Sequence, residues 1–197
     1  MDVTLQNILD GCKQNDKASQ KALYDRYFNL FMIMCLRYIS SRHDAEEVLN
    51  NAFLRIFKHI NKYSGQGSFE GWMKKIVVNC CLTGISRSDY SIRTKIIPLQ
   101  STYDTGIESN SSREIGIPEE MLETKYNQEH LLQLLNFLPE TTRLVFNLYV
   151  FEEYNHKEIG EMLNMAERTS QSHLSRARKI LSTELDKKKL IHKIQRV

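Results

Sequence analysis

The sequence predicts an all-α protein made of two small helical domains joined by a flexible acidic linker, on three observations. All three prolines, Pro98, Pro118 and Pro139, stand at position 98 or later, so no helix breaker of that kind interrupts the first ninety-odd residues. Apolar residues recur at helical spacing over long stretches, and no alternating run is long enough to make a strand. Residues 101–125 carry six acidic against two basic side chains among Ser, Thr, Asn and Gly. Such a segment cannot offset the entropy of ordering by burial, which makes it a tether.

A chain of 197 residues that is 41% hydrophobic has material for one large core or two small ones. The first apolar stripe runs through Leu23, Tyr27, Leu30, Phe31, Met34 and Tyr38. A second passes through Val48, Leu49, Ala52, Phe53, Ile56, Phe57 and Ile60, and a third through Phe69, Trp72, Met73, Ile76, Val77 and Cys80. Ser64-Gly65-Gln66-Gly67-Ser68 is a turn between the second and third. These stripes define a helical bundle over residues 1–87, followed by the linker over 88–125. Patterning resumes near Tyr126 and continues through a second domain over 126–197. There Leu131, Leu134, Leu135 and Leu138 lead to a turn at Pro139-Glu140, and Leu144, Val145, Leu148 and Tyr149 form the next stripe.

The end of the chain reads as a helix-turn-helix. Asn155-His156-Lys157-Glu158 offers a capping side chain with Glu three residues on, a helix start. Ile159, Met162 and Leu163 line its inner side, and Asn164 accepts the left-handed backbone of a helix end. A second helix from about Glu167 buries Leu174, Ala177, Leu181 and Leu185. Ala166 leaves its start without a capping side chain. Residues 166–197 hold nine basic against three acidic side chains, a charge balance that suits a polyanion. With the apolar stripe inward, Arg168, Thr169, Gln171, Ser172, Ser175 and Arg176 face out near the helix start, and Arg178 and Lys179 extend the positive strip. These side-chain types read base edges or grip phosphates. A solvated basic helix has the same pattern, so the residues alone leave both readings open.

Several function classes find no support. No apolar run approaches the roughly 18 residues of a membrane span, and the amino terminus lacks the basic start and apolar block of a secretory signal. Cys12, Cys35, Cys80 and Cys81 lack metal spacing and read as reduced thiols of a cytoplasmic protein. No phosphate-binding glycine loop, His-Glu-x-x-His or nucleophile motif stands out, so neither an enzyme, a cofactor nor a metal is expected.

The segments Leu138-Pro139-Glu140-Thr141-Thr142-Arg143-Leu144-Val145-Phe146-Asn147-Leu148-Tyr149, His156-Lys157-Glu158-Ile159 and Leu174-Ser175-Arg176-Ala177-Arg178 resemble the promoter-binding carboxyl-terminal region of bacterial sigma factors, specifically the extracytoplasmic-function group. Asp44-Ala45-Glu46-Glu47-Val48-Leu49 with Phe53-Leu54-Arg55-Ile56-Phe57 resembles that family's polymerase-binding helix. Ser68-Phe69-Glu70-Gly71-Trp72-Met73 with Ile76 and Asn79 resembles its promoter-melting segment. Three motifs in family order span nearly the whole chain.

The resemblance implies a factor that binds core RNA polymerase, through a coiled coil of the largest subunit and the flap of the second-largest, and directs it to promoter DNA. It also implies an anti-sigma factor as a partner. Asp44, Glu46, Glu47, Asn50, Asn51 and Arg55, with Lys58, become the polymerase contact. Asn50-Asn51 stands where many members carry Gln and an acid, and Asp44 is alternatively a plain helix cap. Phe69, Trp72, Lys74, Lys75, Asn79 and Arg87 become the minus-ten contact, where an unstacked base needs a pocket and the strand needs cations. By their spacing Phe69 and Trp72 are core residues first and stacking platforms second. Thr83 and Ser86 depart from the family's Asp and basic residue. Arg168, Thr169, Gln171, Ser172, Ser175, Arg176, Arg178 and Lys179 become the minus-thirty-five contact. The alternative is a helix-turn-helix regulator that touches no polymerase.

Overall fold

The computed structural model describes the backbone of residues 3–88 and 128–194, with side chains over 4–85 and 128–187. The linker and Arg87's side chain lie outside these. Every regular element among the described residues is helical, and the helices fall into two compact units.

The first unit holds α1 (Val3–Lys13), α2 (Lys17–Tyr38), α3 (Arg42–His59), a short 3-10 turn (Ile60–Lys62) and α4 (Phe69–Ser88). The periodic stripes do not single out α1. Caps fix the starts of the longer helices. Asp16 caps α2 by accepting from the Ser19 amide at 2.8 Å, and Ser41 caps α3 by accepting from the Asp44 amide at 3.3 Å. Asp44 is therefore not the cap. It lies one turn inside the helix, where its charge favours the positive end of the dipole. The Gly71 amide donates to Ser68 Oγ at 3.0 Å at the start of α4.

Leu23, Phe31, Cys35 and Tyr38 of α2 pack with Leu49, Ala52, Phe53 and Ile56 of α3 and with Phe69, Met73, Ile76 and Cys81 of α4, all essentially buried. Full burial of one large side chain of this kind is worth about 1.5–3 kcal/mol, so the three stripes are the main adhesive of the unit. Leu30, expected in the first stripe, is instead 43% exposed. The four-residue steps Leu23, Tyr27, Phe31, Cys35 carry the buried face past it. The four cysteines are free and buried, with Cys35 and Cys81 sulfurs 3.7 Å apart.

The second unit holds α5 (Gln128–Asn136), α6 (Glu140–Val150), α7 (His156–Met162) and α8 (Glu167–Ile194). Helix α6 starts at Pro139 and is buried from Thr142 to Leu148, the signature of a central helix. Two of its polar side chains are held from neighbouring elements: Arg143 Nη1 donates to Asn136 Oδ1 at 3.0 Å, and Thr142 Oγ1 meets His173 Nδ1 of α8 at 3.0 Å. Burial pulls the Arg143 guanidinium below its ordinary value, with Glu140 opposing the shift.

Candidate functional site

The α7–α8 pair is held by a small set of polar contacts. Asn155 and Glu158 form a reciprocal capping box, with the Glu158 amide donating to Asn155 Oδ1 at 2.9 Å and the Asn155 amide to Glu158 Oε2 at 2.6 Å. His156 stacks on Tyr149 at 4.5 Å between ring centres, and its Nδ1 lies 2.9 Å from Ser170 Oγ, itself fully buried in α8. The turn closes by a bond from the Met165 amide to the Gly160 carbonyl at 2.9 Å, with Asn164 at φ 48°. A Cβ on residue 160 would lie 2.7 Å from the Met165 carbonyl oxygen, so only glycine lets the turn come this close.

This frame sets the outward face of α8. Leu174, Ala177, Leu181 and Leu185 are buried, while Arg168, Thr169, Gln171, Ser172, Ser175, Arg176 and Lys179 are exposed and Arg178 is half-buried. Helix α8 begins at Glu167 after Ala166, and the Thr169 amide reaches back to the Ala166 carbonyl at 2.9 Å. Two side chains near the start are engaged within the helix: Gln171 Nε2 lies 3.4 Å from Glu167 Oε1, and Ser172 Oγ donates to the Arg168 carbonyl at 3.0 Å.

On α3, Asp44, Glu46, Glu47, Asn50, Asn51 and Lys58 are exposed and Arg55 is half-buried. Leu54 stands among them at 67% exposure, three residues from Asn51 and four from Asn50 and Lys58. From α2, Tyr24 lies against Phe53, 4.6 Å between ring centres, and its hydroxyl donates to Asn50 Oδ1 at 2.9 Å. Asn51 Nδ2 donates to the Glu47 carbonyl at 3.0 Å.

The start of α4 brings together an aromatic trio. Phe69 and Trp72 stack at 5.5 Å, and Tyr63 meets Phe69 edge-on at 5.1 Å and Trp72 at 5.8 Å. Tyr63 donates its hydroxyl to the Gly67 carbonyl at 2.8 Å, bracing the turn whose Gly65 and Gly67 take φ of 80° and 78°. Phe69 is 2% exposed and packs in the core of the unit. Trp72 is half-buried, and its Nε1 finds no hydrogen-bond partner among the described residues. Lys74 pairs with Glu70 at 2.9 Å, and Lys75 and Asn79 are half-buried on α4.

Comparison with known proteins falls on the same two units. The model of Sigma-70 region 2 matches residues 23–89, and that of Sigma-70, region 4 matches residues 128–181. The chain belongs to the sigma-70 family, in its extracytoplasmic-function group. It is similar to the ECF RNA polymerase sigma-E factor of Haemophilus influenzae, 23% identical over 185 residues that cover 93% of this chain and 96% of that one. The ECF RNA polymerase sigma factor SigW of Bacillus subtilis is 23% identical over 187 residues, covering 94% and 98%. A solved structure of CnrH in complex with the cytosolic domain of CnrY matches at 16% identity and a TM-score of 0.45, over 91% of this chain and 95% of that one. The protein is thus an alternative sigma factor that directs transcription initiation.

Sequence reasoning missed several residues of this sigma factor that its two units use. Leu54 sits off the inward stripe, and a helical wheel through Leu49, Ala52, Phe53 and Ile56 would have put it outside. Tyr24 and Tyr63 act across element boundaries, which no local pattern shows. Ser170 and Thr142 are polar yet fully buried, because each meets a histidine from a neighbouring helix. No helix among the described residues is long and apolar enough to cross a membrane.

Proposed function

We propose that this sigma factor binds core polymerase through the outward face of α3 and reads the minus-thirty-five element with the outward face of α8. The observation that carries the reading is the α3 surface: Glu46, Glu47, Asn50, Asn51 and the 67%-exposed Leu54 on one helix. These positions fall within the stretch that the model of Sigma-70 region 2 matches, residues 23–89, which a regulator sharing only the helix-turn-helix would lack. Asp44, Arg55 and Lys58 flank this contact with the coiled coil of the largest subunit. In the second unit Phe137, 52% exposed, offers an apolar point for the flap of the second-largest subunit.

Promoter recognition divides between the units. Arg168, Thr169, Gln171, Ser172, Ser175 and Arg176 lie along the first turns of α8 and enter the major groove, where Arg and Gln make bidentate contacts to base edges. Arg178 and Lys179 sit a turn later and hold phosphate. For the minus-ten element, Trp72 and Tyr63 supply the aromatic surface for an unstacked base, while Lys74, Lys75, Asn79 and Arg87 follow the strand. Lys74 exchanges its pairing with Glu70 for a phosphate when DNA arrives. The factor works in the cytoplasm, with an anti-sigma factor as a further partner.

Reversing Glu46 and Glu47 to Lys tests the interface. The double variant keeps its helicity and loses core polymerase in a pull-down. Unchanged capture would place the contact elsewhere.

A further inference from the structure

We infer that Tyr24 is a positioning residue that fixes Asn50 as an outward hydrogen-bond donor, beside Asn51 as an outward acceptor, so that the polymerase surface must offer an acceptor opposite position 50 and a donor opposite position 51. The inference rests on the polymerase-binding reading of the α3 face and adds the chemistry of the contact.

Asn50 and Asn51 look interchangeable in sequence, yet the fold treats their amides in opposite ways. The Tyr24 hydroxyl donates to Asn50 Oδ1 at 2.9 Å. That occupies the oxygen and leaves the NH₂ group of an exposed side chain to face solvent. Asn51 is turned the other way. Its Nδ2 donates to the Glu47 backbone carbonyl at 3.0 Å, and because a carbonyl only accepts, Oδ1 is the atom left outward.

Tyr24 is well suited to impose the first orientation. Its ring is wedged between Phe53 at 4.6 Å and Phe28 at 5.3 Å, so the hydroxyl has little freedom to wander. Burial, with Glu46 and Asp25 nearby, holds its phenol above the ordinary value, and it stays a donor across the physiological range. The exposed Leu54, three and four residues on, places an apolar side chain beside the amide pair.

The two positions are therefore not equivalent toward substitution by the isosteric acid. Asn51→Asp loses its bond to the Glu47 carbonyl but still presents an oxygen outward, whereas Asn50→Asp replaces the outward NH₂ by an oxygen while still accepting from Tyr24. Affinity for core polymerase, measured by fluorescence competition with the full chain, tests this. We expect Asn50→Asp and Asn50→Ala to weaken binding by about three- to tenfold, the range of one net hydrogen bond, and Asn51→Asp to stay within about twofold. Tyr24→Phe should weaken binding by about two- to fivefold. Combined with Asn50→Ala it should add nothing further, since the hydroxyl acts only through Asn50. A merely structural tyrosine would give additive losses, and circular dichroism reports whether each variant is folded. Equal losses for Asn50→Asp and Asn51→Asp, or additive losses for the Tyr24–Asn50 pair, would overturn the inference. The Glu46→Lys/Glu47→Lys variant runs beside them: if it binds as well as the parent, the whole face is misassigned, and if it alone fails to bind, only the amide arrangement is wrong.

Discussion

Replacing Gly160 by alanine should lower the stability of the second unit and loosen promoter binding, although alanine is the better helix former. Residue 160 lies inside α7, where the exchange by itself favours the folded state by about 1 kcal/mol. Against this, the new Cβ would lie 2.7 Å from the Met165 carbonyl oxygen and 3.6 Å from the Glu167 nitrogen. These are backbone atoms of the turn and cannot swing aside as a flexible side chain does. Overpacking of this kind costs about 1–3 kcal/mol, and contact with backbone belongs at the upper end. The net expectation is a loss of about 2 kcal/mol, close to thirtyfold in the folding equilibrium. For a unit of this size it lowers Tm by about 10 °C. Pushing Met165 away also breaks its 2.9 Å bond to the Gly160 carbonyl and tilts α8, so affinity for the upstream promoter element should fall as well. Differential scanning calorimetry together with a DNA-binding titration checks both effects. A variant as stable as the parent, or more so, would show that the turn yields freely and that the α8 face is not set by this contact.

Other expectations follow from the same surfaces. Arg178→Ala should weaken binding to all DNA sequences alike and flatten the salt dependence by about one unit of slope, whereas Gln171→Ala should relax preference at particular base pairs with little change in slope; titration against a randomised upstream element at two salt concentrations separates them. Replacing Lys74, Lys75 and Asn79 by Ala should reduce promoter opening, read by permanganate reactivity, while polymerase capture is unchanged, and normal opening would return that surface to solvent. Asp16 is held below its ordinary carboxyl value chiefly by the Ser19 hydroxyl, with the Ser19 amide also lowering it. The stability it supplies is present above the unfolded-state value and is lost as pH falls through the lower folded one. An Asp16→Asn variant keeps a capping side chain that does not titrate, so acid unfolding of the first unit should begin less steeply; an unchanged acid limb would exclude this cap as a contributor.

The parts legible in sequence are those governed by local periodicity. The α3, α4 and α8 stripes, the Asn155–Glu158 capping box and the left-handed Asn164 all follow from residues within a few positions of each other. The outward set on α8 followed from the same rule, because a buried stripe at Leu174, Ala177 and Leu181 leaves one opposite face. What escaped depends on residues far apart in the chain. Ser170 could be buried only because His156 reaches it, and the roles of Asn50 and Asn51 diverge only because Tyr24 arrives from another helix. Leu30 shows the opposite failure, where a plausible spacing pointed inward and the helix had already turned away. Asp44 competed with Ser41 for the cap of α3, and the serine, being nearer the true start, took it.

The proposed function couples, in one chain, a polymerase-binding face on α3 to a promoter-reading face on α8. Run-off transcription with purified core polymerase and genomic promoter fragments puts that coupling to the test in a single reaction. The expected result is discrete transcripts that core polymerase alone does not produce, abolished by Glu46→Lys/Glu47→Lys and redirected or weakened by Gln171→Ala. Retardation of the same fragments by the protein, with no transcript formed when core polymerase is added, would contradict it.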